Sequence, residues 1–588
     1  MRDRLLTRHF LQRFLDNDLI SPNADRHETL SIVCAALISA SLFATVLLSL
    51  KYLFQPFQSP GRTAIVALDD RFLYISWSMT IMGLVAVATW DALALDHRDA
   101  AILGPLPVPR GAIVRAKLAA VLLFSTTFTV ALNLAPSILH PFLMVAELPV
   151  GLLEAARLTG AHAVVTIAAG AFGFFSVLGL RELLHAALGR AWFSRLSTIV
   201  QGSLVVCFST MFLLLPGLSS GVTLSLLASR ALTPYVIPPL WFLGLHETLA
   251  GGAIDRLPRG GLPAGILEAE QEATVLYRSQ QPLFHDLGVM AIAALGVAML
   301  VALTACAWNS RRLPVPDVGP RAGRRRAGAK LAWVVQRSVV RRPVAQAGFF
   351  FTLQSLSRSV PHRLAIATSV AVGLAAATVS VRGLDIGQAT DVASMPVSFL
   401  AVQGVLITAL LVGFRHALRV PASLPANWAF HLAWPGDERP YFVGVKRAAL
   451  VGVVLPILVA LLPLHVWVLG SRVGLGHFGC GVLMALVLLD VLLLGFRKVP
   501  FASSYEPTGN LKALGPIYVL AFLFVTFGFA SVERLALGST GGTATLLSCA
   551  AALWVGLRMV DLRQRRGPVS IELEEALPTS IQRLDLSG

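Results

Sequence analysis

Residues 103 to 123, LGPLPVPRGAIVRAKLAAVLL, and residues 432 to 452, LAWPGDERPYFVGVKRAALVG, decide how the chain is read. Offset by 329 positions, Arg110 meets Arg439, Val114 meets Val443, Lys117 meets Lys446, and Ala119 and Ala120 meet Ala448 and Ala449, five identities in eleven aligned positions. Each stretch is a proline-bearing loop that runs into an apolar helix and places a lysine just inside it. Each also follows the second long apolar run of its half, so the sequence predicts a chain built twice on one plan.

Composition says what kind of plan. The mean hydropathy is +0.72, with 55% hydrophobic and 14% charged residues over 588 positions. That balance belongs to polytopic membrane proteins, because a water-soluble domain could not bury so much apolar surface. Apolar runs fall at 30 to 50, 72 to 95, 113 to 137, 158 to 180, 197 to 216 and 285 to 307, then at 363 to 381, 395 to 414, 445 to 469, 477 to 495, 514 to 530 and 540 to 559. Each can cross a hydrocarbon core as a helix of about 20 residues. The expected fold class is all-α and polytopic, with about 12 transmembrane helices arranged as two parallel six-helix repeats.

Five regions follow. Residues 1–29 read as a cytoplasmic amphipathic helix, with Leu6, Phe10, Leu11, Phe14 and Leu15 on one face. The first six-span half occupies 30–308 and carries an external insert at 217–284, which includes Pro238, Pro239, Leu240, Trp241 and Phe242. Residues 309–362 form a linker with eleven Lys or Arg against one acid, Asp317, ending in a second amphipathic stretch. The second half spans 363–560, and 561–588 form a tail. The polar lead before the first apolar run gives no cleavable signal pattern.

Charge sets the orientation. The short loops 51 to 71, 138 to 157, 382 to 394, 470 to 476 and 531 to 539 hold 3, 1, 1, 1 and 1 Lys or Arg, while the segments on the other side are much more basic. The positive-inside rule then puts both termini in the cytoplasm. The same rule accounts for the net charge of +16, so nucleic acid is not an expected partner and the lipid bilayer is. Cys34, Cys207, Cys306, Cys480 and Cys549 lie in or beside apolar runs without a CxxC pair, which argues against disulfides and metal.

Catalytic motifs are absent. No GxxxxGK[ST] occurs, so the chain cannot cradle nucleotide phosphates in the P-loop manner and is not its own ATPase. HExxH is missing too. GLSSG at 217 to 221 follows an apolar helix rather than the strand a nucleophile elbow needs. Asp91, Asp96 and Asp99 read as a helix running out into water. The polar groups inside the runs are Asn133, His162, Gln201, Gln403 and His465, with Asp490 near a cytoplasmic end. These five are the candidate translocation-path residues, and the spans otherwise read as close to charge-free, which argues against ion coupling. For His162 and His465 the competing reading is a hydrogen bond between helices.

The order of an amphipathic helix, six spans, a proline-containing loop between the second and third, and an external insert between the fifth and sixth resembles the permease subunits of ABC exporters of the type-two, G-type fold. ILGPLPVPRGAIVRAK and LPANWAFHLAWPGDERPYFVGVK are similar to that family's coupling loop, and PPLWFLGLHETLAG is similar to its external segment. The resemblance implies a pore subunit in a bacterial inner membrane, driven by a separate ABC ATPase that holds the ATP and Mg. No cofactor is implied in this chain. It also implies that Leu103, Pro105, Leu106, Pro107, Arg110, Lys117, Trp428, Phe430, Trp434, Pro435, Arg439 and Lys446 form or border the ATPase-coupling loops. Prolines stiffen such a loop because their φ is fixed, and buried aromatics anchor partners. Most such permeases are six-span half-transporters, whereas this chain holds both halves and is expected to be a full transporter core. The alternative is a secondary carrier of 6+6 major-facilitator-like architecture, though that family's Gly-Asp-Arg-Gly loop is absent. Spans poor in charge suit a hydrophobic or amphipathic cargo.

Overall fold

A computed structural model describes residues 2–15, 26–54, 60–90, 92, 107–147, 151–218, 233–251, 271, 275, 277–310, 325–381, 392, 394–422, 427, 430, 432, 439–494, 496, 498–502, 517 and 520–564. Among these residues the regular structure is helical and no strand occurs. Ten helices are long and apolar enough to cross a membrane, and two further apolar helices, Cys34–Leu50 and Ile199–Leu215, are shorter. Each of the twelve apolar runs overlaps one of these along its described residues. In hydrocarbon a helix is the only open-ended structure that satisfies its own backbone groups, so apolar composition dictates helix here without help from propensity.

The chain divides into two compact units, Met1–Val318 and Gly319–Gly588. The first contains α1 (Arg2–Leu15), α2 (Arg26–Phe54), α3 (Pro60–Ala88), α4 (Arg110–Glu147), α5 (Leu152–Leu218), α6 (Thr233–Val236), α7 (Pro238–Ala250) and α8 (Gln281–Ser310). α5 is helical from Leu152 to Leu218, yet it is folded back on itself. Ser78 Oγ donates to the Thr166 carbonyl at 2.8 Å while the ring of adjacent Trp77 lies 5.6 Å from that of Phe212. On a straight helix Thr166 and Phe212 would be about 70 Å apart. The reversal falls between His185 and Phe193, whose rings are 4.8 Å apart where a straight helix would separate them by about 12 Å. The fourth and fifth runs are thus the arms of one hairpin, as their spacing predicts.

Within the segment 217–284, α7 is packed into the unit: Leu240, Phe242 and Leu243 are fully buried with Leu68, Phe72, Val165, Ala169 and Leu287. The cause is compositional. PPLWFLGLHETLA is as apolar as a span but at 13 residues too short to be one, so it buries its surface against α3, α5 and α8.

The second unit contains α9 (Arg325–Ser338), α10 (Pro343–Arg358), α11 (Val360–Val381), α12 (Val397–Arg419), α13 (Arg439–Ala449), a π turn at Leu450–Val454, α14 (Leu455–Leu469), α15 (Ser471–Leu492), a second π turn at Phe524–Gly528, α16 (Phe529–Leu537) and α17 (Thr540–Gln564). Gly470, at φ 79°, turns α14 into α15. In each unit the helix that follows the first apolar helix is the most enclosed of the long candidate spans: 72% of the Ala67–Ala88 window and 78% of the Val397–Arg419 window are buried.

Each unit also docks an amphipathic helix on the start of its third span. In the first, Phe10 and Phe14 of α1 are buried and Phe14 meets Phe124 of α4 at 5.2 Å. In the second, α10 crosses α13 backbone to backbone. A Cβ on Gly348 would lie 2.4 Å from the Tyr441 carbonyl, and one on Gly444 would lie 2.1 Å from that of Ala345. Only small residues permit that approach. We therefore expect Gly444→Val to lower the thermal midpoint of detergent-solubilised protein by the equivalent of about 2 kcal/mol or more, measured by size-exclusion recovery after heating. Gly541→Val, where a Cβ meets nothing within 4 Å, is the control expected to change little.

Candidate functional site

The loop residues come first. Leu103, Pro105, Leu106, Trp428, Trp434 and Pro435 lie outside the described residues. Pro107 is exposed just ahead of α4, and Arg110 and Arg439 begin α4 and α13, the former exposed and the latter half-buried. Phe430 is half-buried with its ring 5.4 Å from Phe351 of α10. Beside it Asn427 donates to the Ala502 carbonyl at 2.6 Å. Phe430 thus packs within its own unit.

Lys117 and Lys446 behave differently from loop residues, since both are buried. Lys446 Nζ donates to Asp490 at 2.6 Å and to Asp561 at 2.8 Å, and Arg558 approaches Asp490 at 3.7 Å. The third helix of the second unit is thereby tied to the ends of the fourth and the last. Lys117 Nζ reaches Ser310 at 3.2 Å. The neighbouring Asn309 donates to the Glu182 carboxylate at 2.6 Å, and Arg181 closes on the same carboxylate. Third-helix lysine, fourth-helix acid and last-helix polar group therefore recur in both units. A buried ammonium is tolerable only with such partners.

The remaining candidates are all buried. Asn133 donates to Ser78 Oγ and to the Thr129 carbonyl, both at 2.8 Å. It lines, with Ser41, Tyr74 and Trp77, a cavity of about 10 Å³, room for about one water. Gln201 donates to the Val87 carbonyl at 3.2 Å, and Gln403 to that of His477 at 2.8 Å. These bonds stitch helices together.

His162 and His465 belong to larger clusters. In the first unit the Tyr74 ring is 5.0 Å from His140, His140 is 5.1 Å from His162, and His162 is 5.8 Å from His246. His246 Nδ1 lies 3.0 Å from Glu247, whose carboxylate also takes Arg71 Nη1 at 2.8 Å and the Tyr277 hydroxyl. Neither ring nitrogen of His162 has a hydrogen-bond partner. In the second unit the Phe399 ring is 6.0 Å from His465, His465 is 4.5 Å from His477, and His477 Nδ1 lies 2.8 Å from Glu533. An aromatic on the second span, a histidine on the third, a histidine on the fourth and a later glutamate thus recur. Among the described residues no group has the geometry to hold a metal ion.

The spans are therefore not close to charge-free. Arg71, Lys117, Arg181, Glu182, Lys446, Asp490, Glu533 and Asp561 are all buried. Sequence reading placed several of them at span borders or in loops. Hydropathy puts Arg71 in the loop 51 to 71 and Glu533 in the loop 531 to 539, but α3 begins at Pro60 and α16 runs to Leu537. The signal that could have found them is helical continuity. Glu247 sat unremarked in the insert, beside His246.

Comparison of the chain with protein-family models, curated proteins and solved structures finds no match.

Glu247, on α7 outside the candidate spans, gives a pH test. Burial pushes its carboxyl up, but Arg71, His246 and Tyr277 together outweigh burial and hold it at about 2 against an ordinary 4.5. A carboxyl depressed on folding stabilises the fold above its unfolded value, and that contribution is lost as pH falls from about 4.5 toward about 2. Glu247→Gln should therefore lower the melting midpoint at neutral pH, by leaving Arg71 uncompensated, and flatten its decline between about pH 5 and 3. Melting curves across that range read both effects.

Proposed function

We propose that the chain is the membrane-spanning core of an ATP-driven ABC exporter, with both six-span halves in one polypeptide. It moves a hydrophobic or amphipathic cargo across a bacterial inner membrane, with both termini in the cytoplasm. The observation that carries this reading is the docking of α1 on α4 and of α10 on α13. In each unit an amphipathic helix braces the start of the third span, where the chain emerges from the proline-bearing or tryptophan-bearing loop. A partner pressing on that loop would move a stiff assembly, because Lys446 ties the third helix to the fourth and the last. The chain has no P-loop, so ATP and Mg belong to one or two partner ATPase subunits.

A second reading, a secondary carrier with 6+6 major-facilitator-like architecture, is favoured by one observation. Buried histidine and glutamate clusters are costly in a membrane and are kept where ions are handled.

The loops separate the two. Replacing Pro105, Leu106 and Pro107 together with Gly restores φ freedom, and Trp428→Ala removes an aromatic anchor whose loss costs about 2 kcal/mol of partner affinity, roughly a 30-fold weakening. Each variant is expected to insert and fold but to lose ATPase recruitment or export, measured in parallel by co-purification and by cargo release from cells. If both bind the ATPase and export at the parental rate, the loops are connectors and the carrier reading takes over.

A further inference from the structure

The two histidine clusters differ in how their glutamate is neutralised. In the first unit Glu247 faces the guanidinium of Arg71 at 2.8 Å, a counter-charge that does not depend on pH. In the second unit Glu533 is just as buried, at 2% of its surface, but no arginine or lysine is bonded to it among the described residues. Its partners there are His477 Nδ1 at 2.8 Å and the Cys480 thiol. Nearby charged groups do not substitute. Arg534 turns its guanidinium to the Met395 carbonyl at 3.5 Å, and Arg472 is exposed at the start of α15. From α12 the cluster receives Phe399 and the amide of Gln403. From α14 it receives His465.

The balance of charge then turns on one proton. With a neutral imidazole and an ionised carboxylate the pair would leave an uncompensated negative charge inside the bilayer, which is expensive. One added proton removes that charge, whether it sits on His477 as imidazolium or on Glu533 as carboxylic acid. We infer that the His477–Glu533 pair, with His465 beside it, is an intramembrane proton-binding site, for which Arg71 is the fixed counterpart in the other half of the chain.

Two further features fit a site that loads and unloads. His477 Nε2 and His465 Nδ1 are both buried without a hydrogen-bond partner, and their rings are 4.5 Å apart. Buried polar atoms without partners call for a ligand or a water, and here a hydronium proton entering by His465 forms an N–H bond on His477 and leaves water behind. The site adjoins Gly470, where α14 turns into α15 at the end that the basic-residue pattern puts outside. The elements that supply His465 and Glu533 also each follow a π turn, at Leu450–Val454 and Phe524–Gly528. Among the described residues the first unit has none. Such turns are rare and concentrate at functional sites.

The test uses the purified full-length chain in lipid nanodiscs and needs neither cargo nor ATPase, so its outcome is separate from the exporter reading. Infrared difference spectra are recorded as the pH is stepped between about 6 and 9, bracketing histidine titration in proteins. Above the background of the chain's other histidines, the site is expected to release one proton per chain, seen as loss of an imidazolium or carboxylic-acid band. That change should vanish in Glu533→Gln and His477→Gln and persist in His162→Gln. Gln at position 533 can still hydrogen-bond His477, so this variant carries the test if His477→Gln fails to fold. A parental change that persists in Glu533→Gln, or no change in the parent, overturns the assignment.

Discussion

Hydrocarbon offers no partner to a charge or a backbone group, and that constraint organises the whole chain. Backbone groups are satisfied within helices. Charges cannot be, so buried ones are met by polar or opposite groups, for Arg71, Lys446 and Glu533 on another helix, and such pairings fix which helices meet. Lys446 shows the consequence: one ammonium between Asp490 and Asp561 holds three helices at a common level. Lys117, seven residues into α4 as Lys446 is into α13, bonds Ser310 beside the Asn309 that holds Glu182. The pairing is less direct, but the helices involved are the same in order.

The duplicated plan makes the departures informative. Both units stack two histidines between the third and fourth helices and set a glutamate nearby, yet one glutamate meets a guanidinium that is always charged and the other meets an imidazole that need not be. Arginine makes a cluster of constant charge, and histidine makes one that answers to protons. The same asymmetry appears in the backbone, where only the second unit interrupts its α-helices with π turns among the described residues. An exporter driven from the cytoplasm requires no such site, so a proton there would be an additional input to the machine.

Much of the fold was legible because apolar run length and helical structure are nearly the same fact in a membrane. The hairpin in α5 was legible too, since the basic stretch HAALGRAWFSR between two apolar runs marks a border that a straight helix could not place in lipid. What hydropathy concealed was the fate of polar residues at helix ends. Arg71 and Glu533 lower any window average, so a hydropathy reading trims them into loops, while the helices continue past them and bury them against partners far away in sequence. The packing of α7 was hidden for another reason. The helix has 13 residues, too few for a span, and no local pattern says whether such a helix faces water or packs inward. Of the site residues read from sequence, Lys117, Lys446, Asn133, His162, Gln201, Gln403 and His465 are all buried, but their partners came only with the fold.

The claim that internal neutralisation holds this architecture together is tested most directly by a charge cycle at Lys446. Lys446→Met removes the ammonium that both Asp490 and Asp561 bond, leaving the half-buried Arg558 3.7 Å from Asp490, and should cost about 3 to 5 kcal/mol, read as the thermal midpoint of the solubilised chain. Adding Asp561→Asn removes the surplus charge, and the double variant should recover much of that loss. A double variant no more stable than Lys446→Met alone would contradict the account, since the lysine would then matter for something other than the charges it balances.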